Sequence, residues 1–180
     1  MACVDLRGRG VLVVGGGPVA LEKVHGLLEC DARVTVVAPQ VQEELRQLPV
    51  NLALRAFEPA DVDGSLLVIA ATDDREVNRA VSVAAAERST LCNVADDPEL
   101  CSFILPALVR RDPIVVGVST GGASPALAQR LRDDVAELLR PEHAALARRL
   151  QALRPWAKRE LPTYEARRDY FQRLVTEALA

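Results

Sequence analysis

The apolar positions of this chain fall into two rhythms that alternate along its first hundred residues. Val11-Leu12-Val13-Val14 and Leu66-Leu67-Val68-Ile69-Ala70-Ala71 are continuously apolar, as strands buried on both faces must be. Ala20, Val24, Leu27 and Leu28 recur at helical spacing between Val19 and Glu29. A second strand is expected over residues 33–37 and ends at Pro39. A short amphipathic helix over Val41–Leu48, a short alternating strand over Val50–Leu54, a helix over Glu76–Arg88 and a fifth strand over Thr90–Val94 complete the series. Strand and helix in alternation predict an α/β fold with a doubly wound, Rossmann-like parallel sheet.

Beyond Asp96 the rhythm changes. Ser102–Val109 and Ile114–Ser119 are apolar and extended, with Arg110-Arg111-Asp112-Pro113 between them as a turn. This predicts an antiparallel hairpin. Ser124 as N-cap and Pro125 at the first helical position then open a helix running to about Leu139. Two further helices follow Pro141, broken by Pro155 and Pro162. The expected segments are 1–100, a nucleotide domain; 101–140, a hairpin and helix; and 141–180, a small helical domain. A lone hairpin is marginal in water, and this one is strongly apolar, so a homodimer through residues 100–140 is expected.

Composition narrows the class. The 180 residues are 49% hydrophobic and 26% charged, ordinary for a globular protein. No apolar run reaches membrane-spanning length, and Asp5, Arg7 and Arg9 interrupt any signal-like start, so a cytoplasmic protein is expected. Cys3, Cys30, Cys92 and Cys101 form no C-x-x-C pair, and His25 and His143 are the two histidines; no metal site is expected. The net charge of −3 is uneven, with bases in excess from Arg140 onward. Those bases alternate with acids on helical sequence, which reads as a solvated face rather than a nucleic-acid surface.

Three stretches carry chemistry. The first is Gly15-Gly16-Gly17-Pro18-Val19-Ala20, the G-x-G-x-x-A turn between a strand and a helix. Gly15 suits a sharp turn, Gly17 a close backbone approach to a pyrophosphate, and Ala20 close packing of helix on strand. The helix start offers free N–H groups to phosphates. A dinucleotide would also lie against Ala38–Gln40, Ala71–Asp74 with Thr72, and Asn93–Asp97, the C-terminal ends of the other strands. The acid expected after the second strand is missing: the chain reads Val37-Ala38-Pro39-Gln40, and Arg33 stands at the wrong end to receive a 2′-phosphate. The balance favours NAD.

The second stretch is Asn93-Val94-Ala95-Asp96-Asp97-Pro98. A carboxylate there suits general-base work, while Asp and Pro equally suit a turn. The third is Ser119-Thr120-Gly121-Gly122-Ala123-Ser124-Pro125. Its amides and hydroxyls, before a helix start, suit carboxylates of an anionic ligand, or simply a loop and a cap.

In this order, these stretches resemble the siroheme synthase N-terminal family. The likeness runs through Asp5-Leu6-Arg7-Gly8-Arg9, Gly15–Ala20, Ala70-Ala71-Thr72-Asp73-Asp74, Asn78, Asn93-Val94-Ala95-Asp96, Ser102-Phe103-Ile104-Leu105-Pro106-Ala107 and Ser119–Pro125. It implies NAD-dependent oxidation of precorrin-2 to sirohydrochlorin and, in some members, insertion of Fe2+ to give siroheme. It implies that Asp96 serves both steps, that Pro18, Val19, Pro39 and Gln40 touch the cofactor, and that the chain dimerises after the nucleotide domain. Asn93, Thr120, Gly121, Gly122 and Ser124 would face the tetrapyrrole. Thr120 stands where the family has serine. With the chain ending near residue 180, the methyltransferase module of multifunctional members is expected to be absent. Two other readings remain at this level: an NAD-sensing regulatory domain, and a chelatase without dehydrogenase activity.

Overall fold

The computed structural model describes residues 2–179; residues 1 and 180, the ends of the first and last expected segments, lie outside them. The chain forms two compact units, 1–105 and 106–180.

The first unit is a five-stranded sheet. Its strands are β1 (Gly10–Val14), β2 (Arg33–Val37), β3 (Asn51–Ala53), β4 (Leu67–Ala70) and β5 (Leu91–Val94). They are all parallel, in the order β3-β2-β1-β4-β5. Three helices connect them: α1 (Pro18–Leu28), α2 (Glu43–Arg46) and α3 (Arg75–Glu87). Successive side chains of a strand face opposite sides, so β1 feeds two cores. Val11 and Val13 pack with Ala20, Val24 and Leu27 of α1 and with Leu45. Leu12 and Val14 pack with Val81, Ala84 and Ala85 of α3. This explains why β1 and β4 tolerate no polar residue. The chain leaves β1 for β2 and β3, then returns to place β4 on the other side of β1. That reversal makes the C-terminal ends of β1 and β4 the switch point of the sheet, the place where doubly wound sheets bind their ligands.

The second unit holds β6 (Ala107–Arg111), β7 (Ile114–Val118), α4 (Pro125–Leu138), α5 (Pro141–Glu160) and α6 (Tyr164–Leu179). The hairpin is a two-stranded sheet of its own, and α4 packs on it. Two expectations are corrected here. Arg110 and Arg111 are strand residues, with Arg111 opposite Ile114, so the turn is only Asp112-Pro113. Residues 102–106 are outside β6; Ser102 instead follows β5, its amide donating to Cys92 O at 2.8 Å. The second correction is Pro155, which does not break the helix: α5 runs through it to Glu160. Proline removes one backbone bond, but Pro155 and Gln151, whose carbonyl loses that bond, are both exposed to water. Ala157 is buried one turn further on, and Trp156 meets Tyr170 of α6 with ring centroids 5.4 Å apart. Pro162 does separate α5 from α6.

Candidate functional site

The glycine turn follows β1 directly. Gly15 N–H donates to Val37 O at 3.0 Å and Gln42 N–H to Gly16 O at 2.9 Å, so the turn is locked to the end of β2. Gly15 has φ +126°, a conformation glycine alone adopts without strain. A Cβ at Gly15 would collide with the Ala71 carbonyl, and its carbon would lie only 2.7 Å away. A Cβ at Gly16 would collide with Gln40 O and come within 2.8 Å of Val41 Cα. Gly17 is different: a Cβ there would meet nothing within 4 Å. Two glycines are therefore required by the protein's own backbone, and the third borders open space.

That space suits a pyrophosphate. Gly17 is the N-cap of α1 and offers no side chain to it, and Pro18 fills the first position. The first intrahelical donor is Leu21, bonded to Gly17 O at 3.0 Å. The Val19 and Ala20 amides thus point out of the helix start without intrahelical partners, and no acid lies in the first turn. Val19 is exposed, and Ala20 is fully buried against the sheet. Pro39 and Gln40 form the exposed rim beyond β2.

The turn after β4 is braced from α3. Thr72 Oγ1 donates to Asn78 Oδ1 at 2.8 Å, and Asn78 Nδ2 donates back to Thr72 O at 2.9 Å. Asp74 caps α3 by accepting from the Glu76 and Val77 amides at 2.9 and 3.3 Å. Asn78 is buried. The Thr72 hydroxyl is thus occupied within the protein, while its methyl lies 3.4 Å from where a Gly15 side chain would start. Asn78 had appeared in the sequence only as one residue of the family likeness. Its local signal is an amide on the apolar stripe of Val77, Val81 and Ala85.

At the end of β5, Asn93 is buried and Nδ2 donates to Phe103 O at 3.1 Å. The side chain therefore ties β5 to the irregular segment around Phe103. Asp96 sits in the turn that follows, exposed, with φ +61°. Its carboxylate has no partner among the described residues. Asp97, in contrast, accepts from Arg75 Nη2 at 3.4 Å. Cys101 supports the turn from beneath. Its Sγ accepts the Val94 N–H at 3.1 Å and lies 3.3 Å from both Val94 O and Asp97 O. Nothing in the sequence marked Cys101 for this role. Burial pushes the neighbouring Cys92 thiol up to about 11, with the nearby Cys101 adding to the effect.

The remaining loop belongs to the second unit. Thr120 Oγ1 accepts from the Ser124 amide and donates to Ser124 O, both at 3.1 Å. Ser124 Oγ caps α4 by accepting from the Leu127 amide at 3.2 Å. Gly121 N–H goes to Ser119 Oγ at 3.2 Å. The Gly122 amide has no partner among the described residues.

Residues 2–107 match a family described as "Putative NAD(P)-binding", and residues 111–138 match one described as "Sirohaem biosynthesis protein central". The chain belongs to the siroheme synthase N-terminal family. Among similar family members, the siroheme synthase of Thioalkalivibrio sulfidiphilus is 47% identical over 174 residues, which cover 94% of this chain and 36% of that one. The siroheme synthase of Methylobacillus flagellatus is 44% identical over 182 residues, covering 97% and 39%. The chain thus spans a little over a third of the length of these curated relatives. A solved structure titled "SirC, precorrin-2 dehydrogenase" superposes with a TM-score of 0.85 at 26% identity, over 100% of this chain and 92% of that one. The first unit of this family member is its NAD(P)-binding domain. Its Rossmann-like sheet, hairpin and C-terminal helices are the architecture of that dehydrogenase structure.

Proposed function

We propose that this chain oxidises precorrin-2 to sirohydrochlorin in siroheme biosynthesis, with NAD as cofactor and a tetrapyrrole as substrate. The likeness to a precorrin-2 dehydrogenase over the whole chain supports the reading, as do the family's siroheme synthases. The observation that carries it is Asp96: an exposed, unpartnered carboxylate at the end of β5, in the same sheet as a glycine turn open to a pyrophosphate.

Bound NAD+ supplies an acceptor for the hydride that leaves a ring carbon. The protein's part is to bind, orient and deprotonate. The Val19 and Ala20 amides hold the pyrophosphate, Gly15 and Gly16 keep the turn closed on β2, and Pro39 and Gln40 border the adenosine ribose. Thr72 acts through its backbone and its brace with Asn78. Asp96 takes the proton lost with the hydride and passes it to water, a role that calls for an accessible carboxylate. Asn93 is assigned to substrate binding in the first unit, and the Thr120–Ser124 loop to substrate binding in the second. Within that loop the Gly122 amide is the open donor for a substrate carboxylate, while Thr120 and Ser124 hold the loop in shape.

The same free carboxylate suits removal of pyrrole N–H protons as Fe2+ enters, so Fe2+ is included as a second substrate. The second unit buries little: Val109, Ala128, Ala144 and Ala157. Leu108, Val115, Leu127, Leu131 and Leu138 remain exposed, Leu138 by 74%. Such apolar surface calls for a partner, and a second copy of the chain is the partner proposed. No helix among the described residues is long and apolar enough to cross a membrane. A reaction drawing on the cellular NAD pool belongs in the cytoplasm.

Anaerobic precorrin-2 and NAD+ are expected to yield NADH and the sirohydrochlorin spectrum. No NADH above the enzyme-free rate would refute the reading. Fe2+ added to sirohydrochlorin, compared with the spontaneous rate, tests the second step.

A further inference from the structure

The cation that borders the acid-free end of β2 is already engaged. The Ala38 and Arg55 amides share one acceptor, Ala53 O, at 3.2 and 2.9 Å. Arg55 therefore starts beside the strand end that leads into Pro39 and Gln40. Its guanidinium turns to Asp61: Nη1 donates to Oδ2 at 2.8 Å and Nη2 to Oδ1 at 2.5 Å. Nη1 also donates to Ala56 O at 3.0 Å. Asp61 accepts the Glu58 amide at 2.8 Å as well, and its side chain is only 10% exposed, against 45% for Arg55. The pair is anchored on the carboxylate side and open to solvent on the guanidinium side. Other cations near β2 are less well placed. Arg33 is opposite Gly10, at the other end of the strand, and donates to Gly8 O. Arg46 lies 3.7 Å from Glu43.

An arginine fork that grips a carboxylate in two places has the geometry that grips a phosphate. In dinucleotide folds an arginine near the end of β2 is what receives a 2′-phosphate. We propose that Asp61 is a specificity-determining residue: by occupying the Arg55 fork it withholds the cation that a 2′-phosphate would need, and so sets the preference for NAD over its 2′-phosphorylated form. No acid after β2 is then required to repel that phosphate. The inference rests on reading the first unit as a dinucleotide site.

Asp61→Asn removes the charge while leaving an oxygen for the Glu58 amide; Asp61→Ala removes both. Each variant is titrated with NADH and with NADPH, following nicotinamide fluorescence, beside wild type. The ratio Kd(NADPH)/Kd(NADH) should fall by about tenfold or more in both, the worth of one charge-assisted hydrogen bond. It should return to the wild-type ratio in Asp61→Asn/Arg55→Gln. Arg55→Gln alone should leave the ratio unchanged, because the fork is already taken. An unchanged ratio in a folded Asp61→Asn protein that binds NADH overturns the proposal and leaves the dinucleotide reading standing. Selective loss of NADPH binding in Arg55→Gln also overturns it. Wild-type protein that binds neither dinucleotide overturns both.

Discussion

Asn78 Oδ1 accepts the Thr72 hydroxyl at 2.8 Å while Asn78 Nδ2 donates to the carbonyl of the same residue at 2.9 Å. Helix α3 thereby clamps the turn after β4, the turn that Gly15 touches. Asn78→Ala removes both bonds in a buried setting. We expect a loss of about 2–3 kcal/mol in stability, read by urea denaturation, together with weaker NADH binding. Asn78→Leu should fold no better, since Thr72 O would remain without its donor.

The three glycines should separate by experiment. Gly16→Ala drives a methyl into Gln40 O and Val41 Cα, and backbone has little freedom to yield, so a cost of about 1–3 kcal/mol is expected. Gly17→Ala meets nothing in the protein. As the N-cap of α1 it loses some capping preference, a cost of less than about 1 kcal/mol. Its NADH affinity should nevertheless drop by about tenfold or more, because the methyl would stand where the pyrophosphate approaches. Equal effects of the two variants on stability would contradict this division.

Asp96→Asn keeps a residue that accepts the left-handed backbone conformation and removes only the charge. Turnover of precorrin-2 should fall by about a hundredfold, with NADH affinity and thermal midpoint unchanged. Retained turnover would take Asp96 out of the chemistry and leave the cofactor site intact.

Cys92 should resist alkylation. Its thiol is pushed up to about 11, chiefly by burial, so at pH 8 almost none is thiolate, the reactive form. Exposed Cys3 should be modified first by iodoacetamide, and mass spectrometry should find Cys92 unmodified until the protein unfolds. As pH rises toward 11 the fraction of Cys92 thiolate grows and labelling should accelerate.

Leu127 and Leu131 lie one turn apart on α4 and both are exposed. Leu127→Glu/Leu131→Glu should convert a sedimenting dimer into monomer at micromolar concentration, since two charges cannot be buried cheaply in an apolar contact. A wild-type protein that sediments as a monomer would remove the dimer from the proposal.

Much of the first unit was legible in the sequence. Val11–Val14 and Leu67–Ala70 could only be strands covered on both faces, and the helices between them placed the sheet's switch point beside Gly15–Ala20. The proposed reaction came from Asn93–Asp96 and Ser119–Pro125, read through a family likeness. What the sequence could not display was how each site residue spends its hydrogen bonds. Thr72, Asn93, Thr120 and Ser124 all look like ligand donors on paper. In the fold, Thr72, Thr120 and Ser124 use their hydroxyls within the protein, and Asn93 commits its amide nitrogen to Phe103 O.

Periodicity and turn chemistry are local, so the sequence by itself determined the strands of the first unit, their parallel direction through the helical connections, and the place of the glycine turn. Contacts between residues distant along the chain are not written in any local pattern. Only the tertiary structure decided that Gly16 is confined by Gln40 while Gly17 is open, that Arg110 and Arg111 belong to a strand, and that an exposed Pro155 lets its helix continue. It also decided that Arg55 is held by Asp61. Each of these turns on which backbone or carboxylate lies within a few ångströms, and that is set by packing rather than by sequence spacing.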